Sequence, residues 1–567
     1  MKYSGARILV ESLIQNNVDT IFGYPGGAVL DIYEELSKCK DRIKHILVSH
    51  EQHAAHAADG YARSTGRIGV CLATSGPGAT NLVTGIATAF VDSVPVVAIT
   101  GNVGLPLLGK DSFQEVDITG ITMPIVKHNW IVEDVRDLAD IVNEAFIVAQ
   151  AGRPGPVLID IPKDVIGAEL DSLSAEPQPN PQGEGSPLDL RGLARSKDEN
   201  ERAKRETYKE EELEKAVELI KNSKRPVLYV GGGAVRSGAN AEVKKLAELL
   251  SAPVALSLMG MGAFSSEHPL CLGLTGMHGT TASNKAVKKC DLLIALGARF
   301  SDRVTGNDER FAKNAKIIHI DIDPAEINKN INTDAFIIGD LKEVLGRLVK
   351  ELPANASANA YAKWSSEIAA FKTKAPDRKQ SAAGKKLLPR FIIQETAKTL
   401  GENSIVVTDV GQHQIWTAQY YPFKTGQKFL SSGGMGTMGF GLGAAAGAKI
   451  ANPKVPVVLF TGDGSFKMNN TEMATLVKYK LPVLVIVFNN RALGMLRQWQ
   501  KLSYKSNYFE TDLSGSGPDF VKLAAAYNVP AFSAANEKSF IIALEQAKQL
   551  LTSGKPVLIE TVINNML

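Results

Sequence analysis

Residues 455–494, which read VPVVLFTGDGSFKMNNTEMATLVKYKLPVLVIVFNNRALG, limit the possible folds of this chain more than any other stretch. The runs 456–460 and 483–488 are short, apolar and rich in β-branched residues, as buried strands are. Between them, 472–480 has the length of a helix, and the Asn-Asn-Thr at 469–471 offers N-cap side chains. A strand–helix–strand unit returns its second strand parallel to the first. The stretch therefore predicts an α/β fold with a parallel sheet.

Two polar residues follow the two predicted strands of this stretch. Asp463 lies between Gly462 and Gly464 directly after the first strand, and Asn490 closes the second. The carboxyl ends of parallel strands form the edge at which open α/β sheets bind ligands. A carboxylate and an amide oxygen suit Mg²⁺, which completes its octahedron with phosphate oxygens and water, and the glycines allow backbone amides to approach a phosphate. The alternative is a turn acid beside an ordinary strand-end asparagine.

The first and last parts of the chain match each other without a gap at a constant offset of 387 residues. The matching positions occur in the same order in both parts. Such self-similarity predicts two related domains of one fold. The same offset places Glu51 on Met438, so corresponding positions would have different roles. The aligned positions are Thr74-Ser75-Gly76-Pro77-Gly78 with Thr461-Gly462-Asp463-Gly464-Ser465, Ala57-Ala58 with Ala444-Ala445, Gly60 with Gly447, Ala87-Thr88 with Ala474-Thr475, Pro95 with Pro482, and Asn102 with Asn489.

Strand-like and helix-like segments alternate through most of the chain, which indicates three doubly wound α/β domains with parallel sheets. The first linker between them is rich in proline and then in charge, and the second surrounds a short amphipathic helix near Trp364. In the middle domain, a predicted strand at 227–230 precedes three glycines, which is only part of a dinucleotide-binding fingerprint. The predicted boundaries are 1–168, 206–350 and 389–567 for the domains, and 169–205 and 351–388 for the linkers.

Composition and charge narrow the possible functions. The chain has 63 Lys and Arg against 60 Asp and Glu, and both signs are scattered, so neither nucleic acid nor an anionic membrane is expected as a partner. The N-terminus has no apolar signal core, and no apolar run reaches membrane length. A cytoplasmic protein is expected. Four cysteines lack metal-ligand spacing and are expected to be reduced thiols: Cys39, Cys71, Cys271 and Cys290.

A histidine-rich string, HEQHAAH at 50–56, opens a predicted helix after the apolar run 46–48. A zinc motif of the form H-E-x-x-H is excluded, because its second histidine would fall on Ala54. The three histidines of the string are therefore expected to be structural. Glu51 should lie at the carboxyl end of a strand, on the ligand-binding edge, although an acid there also interacts favourably with the helix dipole.

Motifs along nearly the whole chain resemble those of one enzyme family. GDGS followed by NN is similar to the signature of thiamine diphosphate enzymes, and the full set is similar to the large catalytic subunit of acetohydroxyacid synthase (acetolactate synthase). The resemblance implies that pyruvate is decarboxylated on thiamine diphosphate and that the hydroxyethyl carbanion adds to pyruvate or 2-oxobutyrate, in branched-chain amino acid biosynthesis. The motifs are FGYPGGAVLDIY, HEQHAAHAADGYAR, TSGPGATN and DSFQEVDI in the first domain, GMHGT, LGARFSDRVTG and IIHIDIDPAEI in the middle domain, and VGQHQIW, SSGGMGTMGFGL and GMLRQWQ in the last.

The resemblance also implies which residues hold thiamine diphosphate and its Mg²⁺. Asp463, Asn490 and the backbone carbonyl of Ala492 would bind the metal. Glu51 would hydrogen-bond the aminopyrimidine nitrogen and promote the tautomer that deprotonates the thiazolium carbon, which is a proton-transfer role. The other cofactor-binding positions that the resemblance implies are Pro77, Asn81, Gln412, His413, Met438, Gly462, Gly464 and Ser465.

A reacting centre, a substrate channel and a second cofactor follow from the same resemblance. Gly27 and Gln114 would line the reacting centre. FAD would bind the middle domain as a structural cofactor, because the reaction has no net redox step. The substrate-channel positions are Phe113, Lys163, Met495 and Trp499. The flavin-contacting positions are Arg153, Gly276, Met277, His278, Gly279, Arg299 and Asp321.

The resemblance further implies a homodimer or a dimer of dimers, in which Glu51 of one chain meets Asp463 of another, and it allows a small regulatory subunit.

Three alternatives remain. A pyruvate oxidase-like flavin enzyme would consume an electron acceptor, and a catabolic acetolactate synthase would work without FAD. A catalytically inactive scaffold conflicts with the presence of Glu51, Asp463 and Asn490 together.

Overall fold

A computed structural model describes residues 2–170, 209–352, 362–373 and 387–563. Nearly all of the predicted first linker, 169–205, lies outside the described residues, as does much of the second. The helix predicted near Trp364 is present at Ala362–Thr373. Its Trp364, Ile368 and Phe371 are buried, and the Trp364 indole Nε1 donates to Pro226 O at 3.1 Å. This helix therefore packs on the middle domain.

The chain forms three six-stranded sheets whose strand pairs are all parallel, and one short antiparallel pair, β1 (Tyr3–Ser4) with β8 (Glu169–Leu170). The first sheet contains β2 (Thr20–Gly23), β3 (Lys44–Leu47), β4 (Gly69–Ala73), β5 (Val96–Asn102), β6 (Asn129–Ile131) and β7 (Val157–Pro162). The middle sheet contains β9 (Pro226–Val230), β10 (Val254–Leu256), β11 (Cys271–Leu274), β12 (Leu292–Leu296), β13 (Lys316–Asp321) and β14 (Ala335–Ile338). The third contains β15 (Ile405–Thr408), β16 (Phe429–Leu430), β17 (Val457–Gly462), β18 (Val483–Asn489), β19 (Ala531–Ala534) and β20 (Val557–Val562).

The strand orders show that the first and third domains share one topology. The first sheet runs β3-β2-β4-β5-β7-β6 and the third runs β16-β15-β17-β18-β20-β19. Numbered within its own domain, each is 2-1-3-4-6-5. The middle sheet runs β11-β10-β9-β12-β13-β14, which is the 3-2-1-4-5-6 order of dinucleotide-binding folds. The prediction of three doubly wound domains, with the first and third related, is confirmed.

Helices cover the faces of the sheets, because strands buried on both sides need apolar partners on each. In the first domain they are Gly5–Gln15, Leu30–Lys38, Glu51–Thr65, Pro77–Asn81, Val83–Val91, Ile118–Thr122, Leu138–Gln150 and Lys163–Gly167. In the middle domain they are Glu210–Asn222, Gly232–Arg236, Asn240–Leu249, Thr281–Lys289, Asp302–Thr305 and Leu341–Glu351. In the third they are Pro389–Leu400, Gln412–Tyr420, Gly441–Ala451, Asp463–Asn469, Met473–Lys478, Gly494–Ser503, Phe520–Ala526 and Glu537–Thr552.

The helix predicted at 472–480 is present at Met473–Lys478, but the predicted asparagine N-caps are wrong. A helix begins at Asp463 itself, immediately after β17, and a 3₁₀ turn at Asn470–Glu472 joins it to the next helix. The asparagines do not cap that second helix. Asn469 instead donates to Gly439 O at 3.1 Å, and Asn470 donates to Lys467 O at 2.8 Å. The Asn469 Nδ2 group thus donates to a distant backbone oxygen, which local pattern could not indicate.

The two related domains meet through equivalent helices, Glu51–Thr65 and Gly441–Ala451. A Cβ atom on Gly60 would collide with the backbone of Ala444, and one on Gly447 would collide with the backbone of Ala57. These two contacts correspond to each other under the 387-residue offset, because Gly60 aligns with Gly447 and Ala57 with Ala444. Glycine therefore permits the close approach of the two helices at both halves of a pseudo-twofold contact.

We expect Gly447→Ala to destabilise the fold by about 1–3 kcal/mol, because the added methyl group overpacks this helix contact. Thermal unfolding followed by circular dichroism measures the change. Gly346→Ala is the matched control, since Gly346 also lies inside a helix and a Cβ there meets nothing within 4 Å. That control should be neutral or slightly stabilising. An unchanged unfolding midpoint for Gly447→Ala would contradict the close contact.

Within the described ranges, no helix has both the length and the apolar character needed to cross a membrane. The four cysteines are free and buried, as the absence of ligand spacing predicts. Burial raises the pKa of the Cys71 thiol to about 12. Burial likewise raises the thiol pKa of Cys271 and Cys290, so these three thiols are packed groups that resist thiolate formation.

Candidate active site

The carboxyl edge of the third sheet forms a pocket around Asp463 and Asn490. β17 ends at Gly462 and β18 at Asn489, and Gly462 pairs with Phe488 in the parallel register. The residues that follow each strand therefore begin side by side. Asp463 and Asn490 are both buried and both line the pocket. This confirms the strand-end placement on which the sequence-based metal prediction depends.

The Asp463 carboxylate has the environment of a cation ligand. Burial raises its pKa to about 6, although the backbone N–H groups of Gly464, Arg491 and Ala492 act to lower it. Its Oδ1 accepts from the Gly464 N–H at 3.0 Å. Its Oδ2 is buried with no hydrogen-bond partner among the described residues. A buried carboxylate oxygen without a partner is costly unless a positive charge lies against it. The residues present therefore fit a divalent cation.

A tight turn after β18 supplies the other two predicted metal ligands. Asn490 Oδ1 accepts from the Ala492 N–H at 3.0 Å, and Arg491 between them has φ 55°. Asn489 also stabilises the turn. Its Oδ1 accepts from the Arg491 N–H at 3.2 Å, and its Nδ2 donates to Glu560 at 2.6 Å. Asn490 and Ala492 both line the pocket with Asp463.

Several residues that the sequence analysis assigned to cofactor or substrate binding are part of the remaining pocket lining. His413 is buried against Gly462, and burial lowers its pKa to about 3, so its ring is neutral. Its Nε2 is buried without a partner among the described residues. Ser465 donates to Val410 O at 3.1 Å. The predicted residues that line this pocket are Gln412, His413, Met438, Gly462, Asp463, Gly464, Ser465, Asn490, Ala492 and Met495.

A second group of predicted residues gathers at the carboxyl edge of the first sheet. Glu51 is the first residue of its helix and half-buried, and its Oε2 accepts from Asn81 Nδ2 at 3.0 Å. Pro77 begins the helix that ends at Asn81. Gln114, at φ 60°, lies against Gly76 of the preceding loop. The structure thus brings four predicted site residues together around the loop that follows β4: Glu51, Pro77, Asn81 and Gln114.

The two groups do not share one pocket within a single chain. All residues that line the pocket of the third domain lie between Val410 and Leu496. The predicted residues of the first domain that do not line it are Gly27, Glu51, Pro77, Asn81, Phe113, Gln114 and Lys163. Phe113 is 88% exposed, which is unusual for a phenylalanine. Lys163 begins a helix directly after β7, at the same sheet edge.

A larger cleft of about 590 Å³ opens where the three domains meet. Val410, Met495 and Leu496 line both this cleft and the smaller pocket, so the two adjoin. Five of the seven predicted flavin positions and two substrate-channel positions line it: Arg153, Met277, His278, Arg299 and Asp321, with Met495 and Trp499. Gly276 and Gly279 belong to the same turn but are not part of the lining; the Gly279 N–H donates to Gly276 O at 2.9 Å.

The cleft carries charge of both signs. Arg153 Nη1 lies 3.2 Å from Asp323 Oδ2 and from Glu326 Oε1. Burial raises the pKa of Asp321, which ends β13. Arg236 is also part of the lining and is exposed within the cleft. Arginines beside the carboxyl ends of a sheet of dinucleotide-binding order fit a ligand with a diphosphate group.

Sequence reasoning missed a charge cluster around the buried Asp92, which joins the three domains at this cleft. The Asp92 carboxylate accepts from Arg63 Nη2 at 3.1 Å and from the Gly433 and Gly434 N–H groups at 3.0 and 2.8 Å. Arg236 of the middle domain donates to Asp92 O. No local motif marks these residues, because their partners are distant in the sequence and most of them belong to another domain.

The three histidines of the 50–56 string have the structural roles expected of them. His50 Nδ1 accepts from the Gln52 N–H at 3.1 Å and caps the helix. His53 pairs with Glu472, and His56 is buried with its pKa lowered to about 3 by burial. In the part of the chain that the structure describes, no cluster of three His, Cys, Asp or Glu side chains could hold a metal.

Three family models match the chain in the order of its domains. They describe the N-terminal thiamine pyrophosphate (TPP) binding domain of thiamine pyrophosphate enzymes at residues 3–121, the central domain at 213–348 and the C-terminal TPP binding domain at 409–561. With the shared topology of the first and third domains, these matches define a thiamine pyrophosphate enzyme.

Full-length relatives narrow this class. The acetolactate synthase large subunit of Pyropia yezoensis is 46% identical over 96% of this chain and 90% of that protein. Those of Cyanidium caldarium and Corynebacterium glutamicum are 46% and 44% identical over 99% of this chain, and over 93% and 87% of the respective proteins. The chain belongs to the acetolactate synthase large subunit family.

Proposed function

We propose that this protein decarboxylates pyruvate and joins the resulting two-carbon unit to a second 2-oxoacid. The products are 2-acetolactate when the acceptor is pyruvate and 2-aceto-2-hydroxybutyrate when it is 2-oxobutyrate. One observation carries the proposal in a chain of this family. Two domains of one topology present Glu51 on one sheet edge and Asp463 with Asn490 on the equivalent edge of the other.

Thiamine diphosphate, when bound, supplies the electron sink for the decarboxylation. Asp463, Asn490 and the Ala492 carbonyl would hold Mg²⁺ against its diphosphate, because the free Asp463 Oδ2 and the amide oxygen are hard ligands. Glu51 would move a proton at the aminopyrimidine side. Among the described residues, Asn81 is the one side chain that hydrogen-bonds Glu51; it orients the carboxyl group through Oε2 and leaves Oε1 available.

A second copy of the chain would complete each active site. The Glu51 group and the Asp463 pocket are separate within one chain, and the 88% exposed Phe113 lies beside Gln114 of the first group. A homodimer, or a dimer of such dimers, can bring one protomer's Glu51 edge to its partner's Asp463 pocket. The relatives are named large subunits, so a small regulatory subunit is a further expected partner.

FAD would occupy the three-domain cleft as a structural cofactor. The cleft has the volume of a cofactor site, arginines for a diphosphate and direct continuity with the smaller pocket. Flavin there would support Met495 and Leu496, which line both spaces. The carboligation has no net redox step, so the flavin would stay oxidised through turnover.

The decisive experiment is incubation of the purified protein with pyruvate, Mg²⁺, thiamine diphosphate and FAD, assayed for 2-acetolactate. Product formation without an added electron acceptor is expected. Flavin reduction at the rate of turnover would support the pyruvate oxidase-like alternative instead. Full activity of flavin-free protein would point to a catabolic acetolactate synthase. Absence of product and of pyruvate consumption would refute the proposed function.

We expect Trp499→Leu to keep acetolactate synthesis and to reduce the preference for 2-oxobutyrate over pyruvate. Trp499 and Met495 lie one helical turn apart and both line the cleft beside the pocket. One methylene in an apolar pocket is worth roughly 10–200-fold in selectivity. Competition between the two acceptors gives the product ratio that measures this. Leu502→Ala, at a 72% exposed position of the same helix, is the control. An unchanged ratio would assign Trp499 to packing alone.

A further inference from the structure

A buried carboxylate of the third domain lies against the start of the helix that Glu51 opens. Glu472 is fully buried and ends the 3₁₀ turn that follows the Asp463 helix. Its Oε2 accepts from the Ser49 N–H at 3.1 Å and from His53 Nδ1 at 2.9 Å. One carboxylate oxygen therefore holds the chain two residues before Glu51 and two residues after it.

One further contact crosses between the domains, and another lies within the helix start. Ser49 Oγ donates to Thr471 O of the third domain at 2.9 Å, and the His53 N–H donates to His50 O in the first turn at 2.9 Å. His53 is 3% exposed, so its bond to Glu472 is shielded from water. The main chain at 49–53 is thus anchored on both sides of Glu51, whose own side chain reaches Asn81 and makes no bond to Glu472.

Folding stability by itself does not account for a carboxylate here. Glu472 Oε1 is buried with no hydrogen-bond partner among the described residues. Burial of a carboxylate oxygen without a partner costs free energy, and a well-packed apolar side chain is often at least as stabilising as a buried ion pair. Buried ionic groups are retained in some proteins because they specify one arrangement. The arrangement that Glu472 specifies is the position of residues 49–53.

We propose that Glu472, through Ser49 and His53, is a positioning residue that sets the Glu51 carboxylate for proton transfer. The inference rests on the proposed function of Glu51. Misplacement of a catalytic group by about 1 Å can cost on the order of 10²-fold in rate. Loss of the Glu472 oxygen would therefore lower turnover, and the KM for pyruvate would change little because Glu472 lines neither the pocket nor the cleft.

The test is a double-mutant cycle on the full-length holoenzyme with saturating cofactors. Glu472→Ala is expected to lower kcat roughly 10–100-fold. Glu472→Gln keeps an oxygen acceptor for both bonds and should restore kcat to within about threefold of wild type, since charge is not the feature that positions the helix. In a Glu51→Gln background, Glu472→Ala should produce no further loss, because no carboxylate remains to be positioned.

A second readout separates positioning from general destabilisation. Amide hydrogen exchange of peptides that cover 47–56 should rise in Glu472→Ala, with the core strands unchanged. Tyr479→Phe is the matched control, because Tyr479 OH accepts from the Leu47 N–H at 2.7 Å across the same domain interface without bracketing Glu51. Its kcat should stay near that of wild type. If Glu472→Ala does not fold, His53→Ala replaces it in the double-mutant cycle. That variant keeps the bond between the Ser49 N–H and Glu472.

The kinetic results that would contradict the role of Glu51 differ from those that would contradict only the role of Glu472. Normal turnover of Glu51→Gln would overturn the proposed role of Glu51 and this inference with it. A large loss in Glu51→Gln with normal turnover in Glu472→Ala would overturn the inference alone. Losses that multiply in the double variant, or an equal loss in Tyr479→Phe, would show that Glu472 contributes only to packing of the interface.

Discussion

Glu51→Gln is expected to fold and bind its cofactors normally and to lose roughly 10²–10⁴-fold in turnover, the usual contribution of a general acid–base group. Glutamine keeps an oxygen that can accept from Asn81 Nδ2, so local structure should be preserved. What it removes is the carboxyl group, which can gain and lose a proton where an amide cannot. Steady-state turnover of pyruvate at saturating Mg²⁺ and thiamine diphosphate, with cofactor affinity measured separately, tests this expectation.

Glu537→Gln is the matched control for this variant. Glu537 is also the first residue of its helix, and it is exposed. Both substitutions remove a negative charge that interacts favourably with a helix N-terminus. Only Glu51 lies on the proposed cofactor-facing edge. Equal kinetics for Glu51→Gln and wild type would remove Glu51 from the mechanism and leave it a helix-start acid.

Asp463→Ala is expected to fail at cofactor retention. Supporting residues around a metal site already contribute about 10–100-fold to metal affinity, and a direct ligand should contribute more. The buried Asp463 Oδ2 has no partner among the described residues, so alanine disrupts no described bond to that atom. Calorimetric titration of Mg²⁺ and thiamine diphosphate into the apoprotein measures the loss directly.

Two further variants sharpen this test. Asp463→Asn keeps the size of the side chain and a neutral oxygen, so its affinity should fall between those of alanine and wild type. Asp41→Ala, at an exposed turn position, should bind both cofactors as wild type does. Normal Mg²⁺-dependent cofactor binding by Asp463→Ala would exclude this strand end as the metal site.

The local sequence pattern alone determined which polar residues lie at the carboxyl ends of β17 and β18. β17 and β18 are adjacent and parallel because a short crossover joins two buried apolar runs, and that geometry follows from chain connectivity alone. Asp463 and Asn490 consequently begin at one edge. The gapless match at an offset of 387 residues likewise predicted two related domains. The sheets of these two domains both have the strand order 2-1-3-4-6-5. Glu51 opens its helix as predicted.

Tertiary structure alone decided how these parts combine. Asn469 does not cap the helix at Met473, because its side chain donates to Gly439 O across the fold. The Ser49–Glu472 bond joins residues 423 apart, and the cleft draws its lining from all three domains. A side chain's nearest neighbours in sequence specify helix and strand, but a buried donor takes whichever acceptor packing brings to it. Such pairings depend on the whole folded chain, so no single stretch of sequence contains them.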